Sequence, residues 1–176
     1  MDVVAQIFGM LGFIILVSSL QFKRNKTFLA MQSLGSLMFF INYFLIGAWS
    51  GVFYNFAAMC RGLLFIKNDK KKWKLLLIEA LFILGFVFSA IMLKGQVFNI
   101  FISSLPFLGM SFMSIFMWIG NSKKTRVFQF AVLSPTWIVY NIVNFTIGGI
   151  LCEIFNMISS VIFLIRTKNE KMEEKL

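Results

Sequence analysis

The sequence predicts an all-α integral membrane protein of seven transmembrane helices, laid out as three spans, one linking span and three more. Three observations carry this. Apolar stretches close to the ~20 residues that cross a bilayer recur along the whole chain. Charged residues make up only 14% of the 176 residues and hydrophobic ones 59%, whereas a soluble domain carries roughly 25% charged residues. The basic residues also fall in clusters after every second span. Short alternating segments, the mark of a membrane β-barrel, are not visible.

The first span is read over residues 3–20 and closes on Lys23, Arg24 and Lys26. The second covers 27–46. The third, 51–66, is short, contains Asn55 and Arg61, and runs into Lys67, Lys70, Lys71, Lys72 and Lys74. Between them a tight turn is expected around Gly47–Gly51, since the run would otherwise be ~40 residues long, more than one crossing needs. The fourth, 75–93, carries Glu79 and is followed by Lys94 alone. The fifth, 97–119, contains Pro106 and closes on Lys123, Lys124 and Arg126. The sixth, 127–147, contains Pro135. A second turn is expected at Gly148–Gly149. The seventh, 150–165, closes on Arg166, Lys168, Lys171 and Lys175, before a tail of mixed charge. Basic loops face the cytoplasm, so the N-terminus is expected outside and the C-terminus inside, which requires an odd number of spans.

The same reading accounts for the net charge of +10: the cations are topology signals, and no nucleic-acid partner is expected. The expected partners are the lipid bilayer and a small polar solute; the sequence does not specify an oligomeric state. The opening MDVVAQ lacks a basic stretch, so a cleaved signal peptide is not expected. The sequence has no His, the commonest general base and metal ligand. Cys60 and Cys152 sit in apolar runs without a CxxC spacing and read as packing residues. No nucleotide-binding, serine-hydrolase or zinc-protease motif is present. No catalytic residue, metal or cofactor is expected, and the protein is not read as an enzyme.

Shifting the chain by 101 residues lays 33–68 on 134–169. Gly47 meets Gly148, Asn55 meets Asn156, Ser36 meets Trp137, and Lys67-Asn68 meets Lys168-Asn169. The halves then run parallel, as repeats 1–69 and 97–169 joined by a linking helix in 70–96, with a cytoplasmic tail at 170–176. Parallel repeats of this kind place a transporter's site at their interface near the midplane.

These segments carry a resemblance. FFINYFLIG with Asn55 and Arg61, LPFLG, and WIVYNIVNFTIGG with Asn156 make the chain similar to the YgjV-type bacterial inner-membrane proteins over nearly its whole length. More distantly, the three-one-three layout, the outside N-terminus and the paired Asn resemble the SWEET, SemiSWEET and PQ-loop (MtN3-like) superfamily. That resemblance implies a bacterial inner-membrane location and a central solute pocket holding Asn55 and Asn156, with Ser36 and Trp137 beside them. It also implies proline hinges, which here are Pro106 and Pro135, both in the second half.

Each polar residue has two readings. Asn55 and Asn156 either grip a solute or join helices. Glu153 shares a helical face with Asn156 and either couples an ion or proton or reaches the outer interface. Arg61 and Glu79 form a structural or gating ion pair, or Arg61 extends to the inner headgroups. Trp137, Asn141 and Asn144 share one face, either a platform for a neutral ring-bearing solute or ordinary packing. Gly9, Gly12, Gly109 and Gly120 read as close helix contacts. The function read from this is a small-solute transporter or facilitator working by alternating access of the two repeats. The alternative is a non-transporting scaffold or receptor whose basic loops dock a partner.

Overall fold

A computed structural model describes residues 3–20, 22, 24–67 and 69–173, with backbone alone at 25, 122 and 168–173. Lys23, Asn68 and Lys175 of the basic clusters, and the side chains of Lys168 and Lys171, lie outside the described residues. All regular structure among the described residues is helical. α1 (Val3–Ser19), α2 (Asn25–Leu45), α3 (Trp49–Phe65), α4 (Lys72–Met92) and α5 (Val97–Ile119) come first. A three-part rod follows: α6 (Ser122–Phe128), a π-helical stretch (Gln129–Leu133) and α7 (Ser134–Val143). α8 (Ile147–Glu173) is last.

α2, α4, α5 and α8 are long and apolar enough to cross a membrane; α1 is apolar but shorter. α1 and α3 have 17 residues each, about 26 Å of helix at 1.5 Å per residue. α3 carries much of the buried polarity, including Ser50, Tyr54 and Asn55, because other helices rather than lipid surround it. α1 packs on α2 and α8, α2 on α3, α3 directly on α5, and α5 and α8 on the three-part rod. These contacts close a ring. α4 packs against α3 and α5 from outside it, with Leu84 and Ile91 exposed. Large apolar side chains cover the outside, and the interior combines an apolar core with buried polar groups such as Asn42, Ser103 and Asn141, for which lipid supplies no hydrogen-bond partners.

One end of the ring carries Lys70, Lys71 and Lys74 and is termed the lysine end. The other carries the α2–α3 and α7–α8 turns and is termed the turn end. The two turns are built alike. In the first, Ile46 N–H bonds to Asn42 O, Gly47 N–H to Phe44 O, and Ala48 N–H to Tyr43 O. In the second, Asn144 N–H bonds to Tyr140 O, Phe145 N–H to Ile142 O, and Thr146 N–H to Asn141 O. Gly47 has φ 73 and Phe145 φ 53.

This geometry corrects the shift of 101. The turns match at a separation of 98 residues, Gly47 with Phe145. Gly148 is not a turn residue. It lies inside α8, against the backbone of Gly9 and Met10 on α1. Asn55 therefore corresponds to Glu153 and Asn156 to Ala58. Ser36 corresponds to Ser134, and Trp137 to Phe39. Tyr43 rests on Gly51 as Asn141 rests on Gly149, which confirms the register across both turns.

Upstream the separation falls to 97. Arg24 and Asn121 both precede a helix start. Gly12 packs on Gly35 and Phe39, and Gly109 on Leu133 and Thr136. Gln32 then pairs with Gln129. The one-residue difference lies at the π stretch, where Ser134 N–H bonds to Gln129 O five residues back. Pro135 follows it; the ring has no N–H to give and would crowd the carbonyl four residues earlier, so the wider turn absorbs both defects. Gly120 is also reassigned: with φ 79 it ends α5 in the left-handed conformation and is not a helix contact.

Gly148→Ala is expected to cost about 1–3 kcal/mol, because its new methyl meets backbone, which cannot repack. Thermal unfolding followed by thiol-dye labelling of buried Cys152, in a Cys60→Ser background, measures this. An unchanged midpoint would show that α1 and α8 are not in backbone contact.

Candidate functional site

The ring encloses a cavity of about 500 Å³. It runs from Asp69, Lys70, Lys71, Lys74 and Arg126 at the lysine end to Tyr43, Asn141, Gly149 and Cys152. Leu16, Phe28, Phe39, Met110, Met113 and Met117 form apolar walls. Thioethers and aromatics offer an adaptable surface, while the polar groups gather in one band.

That band holds Asn55, Glu153 and Asn156. Asn55 Nδ2 donates to Gly51 O one turn back on its own helix, 2.9 Å. Glu153 Oε2 accepts from Ser134 Oγ at 2.7 Å, and from Gln129 Nε2 and Asn156 Nδ2 at 3.4 Å. Two of these partners come from the rod around the π stretch, so the wide turn sets where they point. Glu153 is thus inside the cavity, which corrects its reading as a group reaching the outer interface.

Arg61 also lines the cavity. Its Nη1 donates to Ser114 Oγ at 3.0 Å and Met110 O at 3.5 Å, and its guanidinium lies 6.0 Å from the Phe82 ring centre. The expected ion pair with Glu79 is not formed: among the described residues the ion pairs within 4.0 Å are Lys71 and Lys74 with Asp69. Arg61 points across to α5, while Glu79 is absent from the cavity wall. Pro106 is buried within α5 and Pro135 stands in the first turn of α7.

The deep end is closed by one layer of side chains. Tyr43 Oη donates to Asn141 Oδ1, 2.5 Å, linking α2 to α7. Tyr140 Oη accepts from Gly51 N–H at 2.7 Å, linking α7 to α3. Trp137 packs edge-on to Tyr140, ring centres 5.4 Å apart, and Tyr43 lies 5.8 Å from Tyr140. Beyond the layer a second cavity of about 370 Å³ opens toward the turn end, lined by Ser50, Ser103, Gln96, Asn99, Tyr140 and Asn144 among others. The expected Trp137–Asn141–Asn144 face is therefore split: Trp137 and Asn141 line the first cavity and Asn144 the second.

Ser36, Trp137, Asn141, Asn55 and Asn156, named from the sequence, all line the same cavity. Tyr43, Gln129 and Ser134 were not singled out from it. A signal existed for the first: the chain has three Tyr against 23 Phe, and a phenol in a lipid-embedded helix needs a partner that a phenyl does not.

At the lysine end, cations sit on helix C-termini, where the dipole favours them. Lys74 Nζ donates to Leu64 O at 2.8 Å and Lys70 Nζ to Ile119 O at 3.1 Å. Asp69 takes Lys74 at 2.7 Å, and this hydrogen bond holds its carboxyl below the usual carboxylate range.

An apolar ring of helices around a polar cavity defines a polytopic helical membrane protein. The chain belongs to the Imp-YgjV family, bacterial inner membrane proteins, whose model matches residues 3–171. Its location is accordingly the bacterial inner membrane. No curated protein and no solved structure matches the chain.

Asp69 is the group whose folded value is depressed, so its stabilisation is present above the unfolded carboxylate pKa, about 3.9, and is lost as pH falls through the lower folded value. The gap in thermal midpoint between wild type and Asp69→Asn is therefore expected at pH 7 and should vanish under strong acid. A gap independent of pH would contradict the assignment. Cysteines introduced at Ala58 and Ser36 in a cysteine-free background should react with a membrane-impermeant maleimide added at the lysine end only. Labelling from both ends would show that the Tyr43–Asn141 layer is open.

Proposed function

We propose that the protein carries a small polar solute across the inner membrane by alternating access, without altering it chemically. The observation that supports this is the pair of cavities, one toward each end, separated by one layer of side chains around Tyr43, Trp137, Tyr140 and Asn141. A solid scaffold needs neither cavity. The reading takes the chain as two parallel three-helix units, α1–α3 and α5–α8, joined by α4 in the three-one-three manner of SWEET-like proteins. The matched turns and the paired Gln32 and Gln129 favour it. It also takes the lysine end as cytoplasmic, following the positive-inside rule, so the large cavity opens inward.

Each hydrogen bond in the closing layer joins helices of different units: Tyr43 to Asn141 and Gly51 to Tyr140. Rocking one unit against the other would part both bonds and join the two cavities. Pro106 and the π stretch before Pro135 are the weak points in regular helix at which such bending would concentrate.

The test is uptake into proteoliposomes across a panel of sugars, polyols, amino acids and amines. Wild type is expected to transport at least one class. Asn55→Ala and Glu153→Gln should lower uptake about tenfold or more if these groups hold solute. Tyr43→Phe should instead raise passive leak, because it removes a bond in the layer and leaves the solute-facing groups intact. Inert wild-type protein across the panel would end the proposal.

A further inference from the structure

Deeper than the mouth, the cavity wall carries Glu153 and Arg61, neither with an oppositely charged group within 4.0 Å among the described residues; Glu79 acts on Arg61 only from beyond that distance. Glu153 accepts all three of its hydrogen bonds on Oε2. Among the described residues nothing donates to Oε1, and no cation lies within 4.0 Å of the carboxylate. Arg61 donates through Nη1; among the described residues no acceptor is bonded to Nη2 or Nε. None of these free atoms is among the buried, unpartnered ones, so they open onto the cavity. At the mouth Lys71 and Lys74 pair with Asp69, Lys70 donates to Ile119 O, and Arg126 stands 5.6 Å from the Phe163 ring centre.

The two groups stand at different depths. Glu153 is bonded to Ser134, and Gly109 of α5 packs against Leu133 and Thr136 on either side of it, which puts Gly109 at the level of Glu153. Arg61 Nη1 is bonded to Met110 O and Ser114 Oγ, one and five residues farther along α5, or between about 1.5 and 7.5 Å nearer the lysine end. A charge at a span centre is costly unless solvated or paired, and among the described residues the two groups form no ion pair with each other.

We infer that the solute is amphoteric, with an ammonium or comparable cationic donor placed at Glu153 Oε1 and a carboxylate or comparable anion at Arg61 Nη2 and Nε. This rests on the transport reading for its direction of movement but not for its binding. A neutral polyol would leave both charges unpaired. A simple cation or anion would satisfy only one. An amphoteric solute with separated charges satisfies both, and the Met and Phe walls accept the methylenes between them.

Calorimetric titration of the purified full-length protein in detergent, with β-alanine, 4-aminobutyrate, 6-aminohexanoate, hexylamine, hexanoate and glycerol, tests this. The affinity should rise with the length of the amino acid. 6-Aminohexanoate should bind about tenfold or more tightly than hexylamine or hexanoate. Glu153→Gln should remove its advantage over hexanoate while leaving hexanoate binding unchanged. Arg61→Gln should remove its advantage over hexylamine, and Arg61→Lys should restore part of it. Equal binding of the amphoteric probes and their one-charge analogues, or no binding of any amphoteric probe, would overturn the inference. Binding of 6-aminohexanoate without its uptake would overturn the transport reading and leave the site standing. Uptake of glycerol without amphoteric binding would do the reverse.

Discussion

Hydrocarbon offers no hydrogen-bond partner, and every other feature of this molecule follows from that constraint. An amide, phenol or carboxylate on a lipid-embedded helix must meet another protein group or a cavity that water can reach. α3 and α8 each carry such groups eight residues past a left-handed turn residue, Asn55 after Gly47 and Glu153 after Phe145. Neither helix can turn that face to lipid. The ring of helices turns both inward, onto the wall of the shared cavity.

Small residues then decide how tightly the ring closes. Gly148 lets α8 touch the α1 backbone at Gly9, and Gly51 and Gly149 accept the side chains of Tyr43 and Asn141 on their bare faces. Those contacts bring the closing layer to one side chain in thickness. A side chain at any of these positions would clash with the neighbour it now touches.

Much of this was legible in the sequence. Helix positions follow from hydropathy, and α5 lies at the residues expected of it, Val97–Ile119. The polar residues that line the cavity could be named because each is expensive in lipid. The register between the halves was not legible. It was anchored on Gly47 and Gly148, since glycine is the residue expected in a left-handed turn; the second turn instead uses Phe145, and glycine was spent on packing. Nor could spacing reveal the π stretch, because one extra residue in a helix leaves no mark on composition. Arg61 and Glu79 were paired by sequence proximity and charge, but Arg61 finds Ser114 on α5.

The corrected register changes what the cavity is chemically. Pairing Asn55 with Asn156 describes a symmetric, neutral grip. Pairing Asn55 with Glu153 describes an unsymmetric one, with an amide on one side and a carboxylate held by three donors on the other. The same asymmetry appears in the closing layer, where Tyr43 corresponds to its own partner Asn141. Two identical residues at that position would offer two phenols or two amides. A phenol and an amide form a single donor–acceptor bond instead, and here it ties α2 to α7.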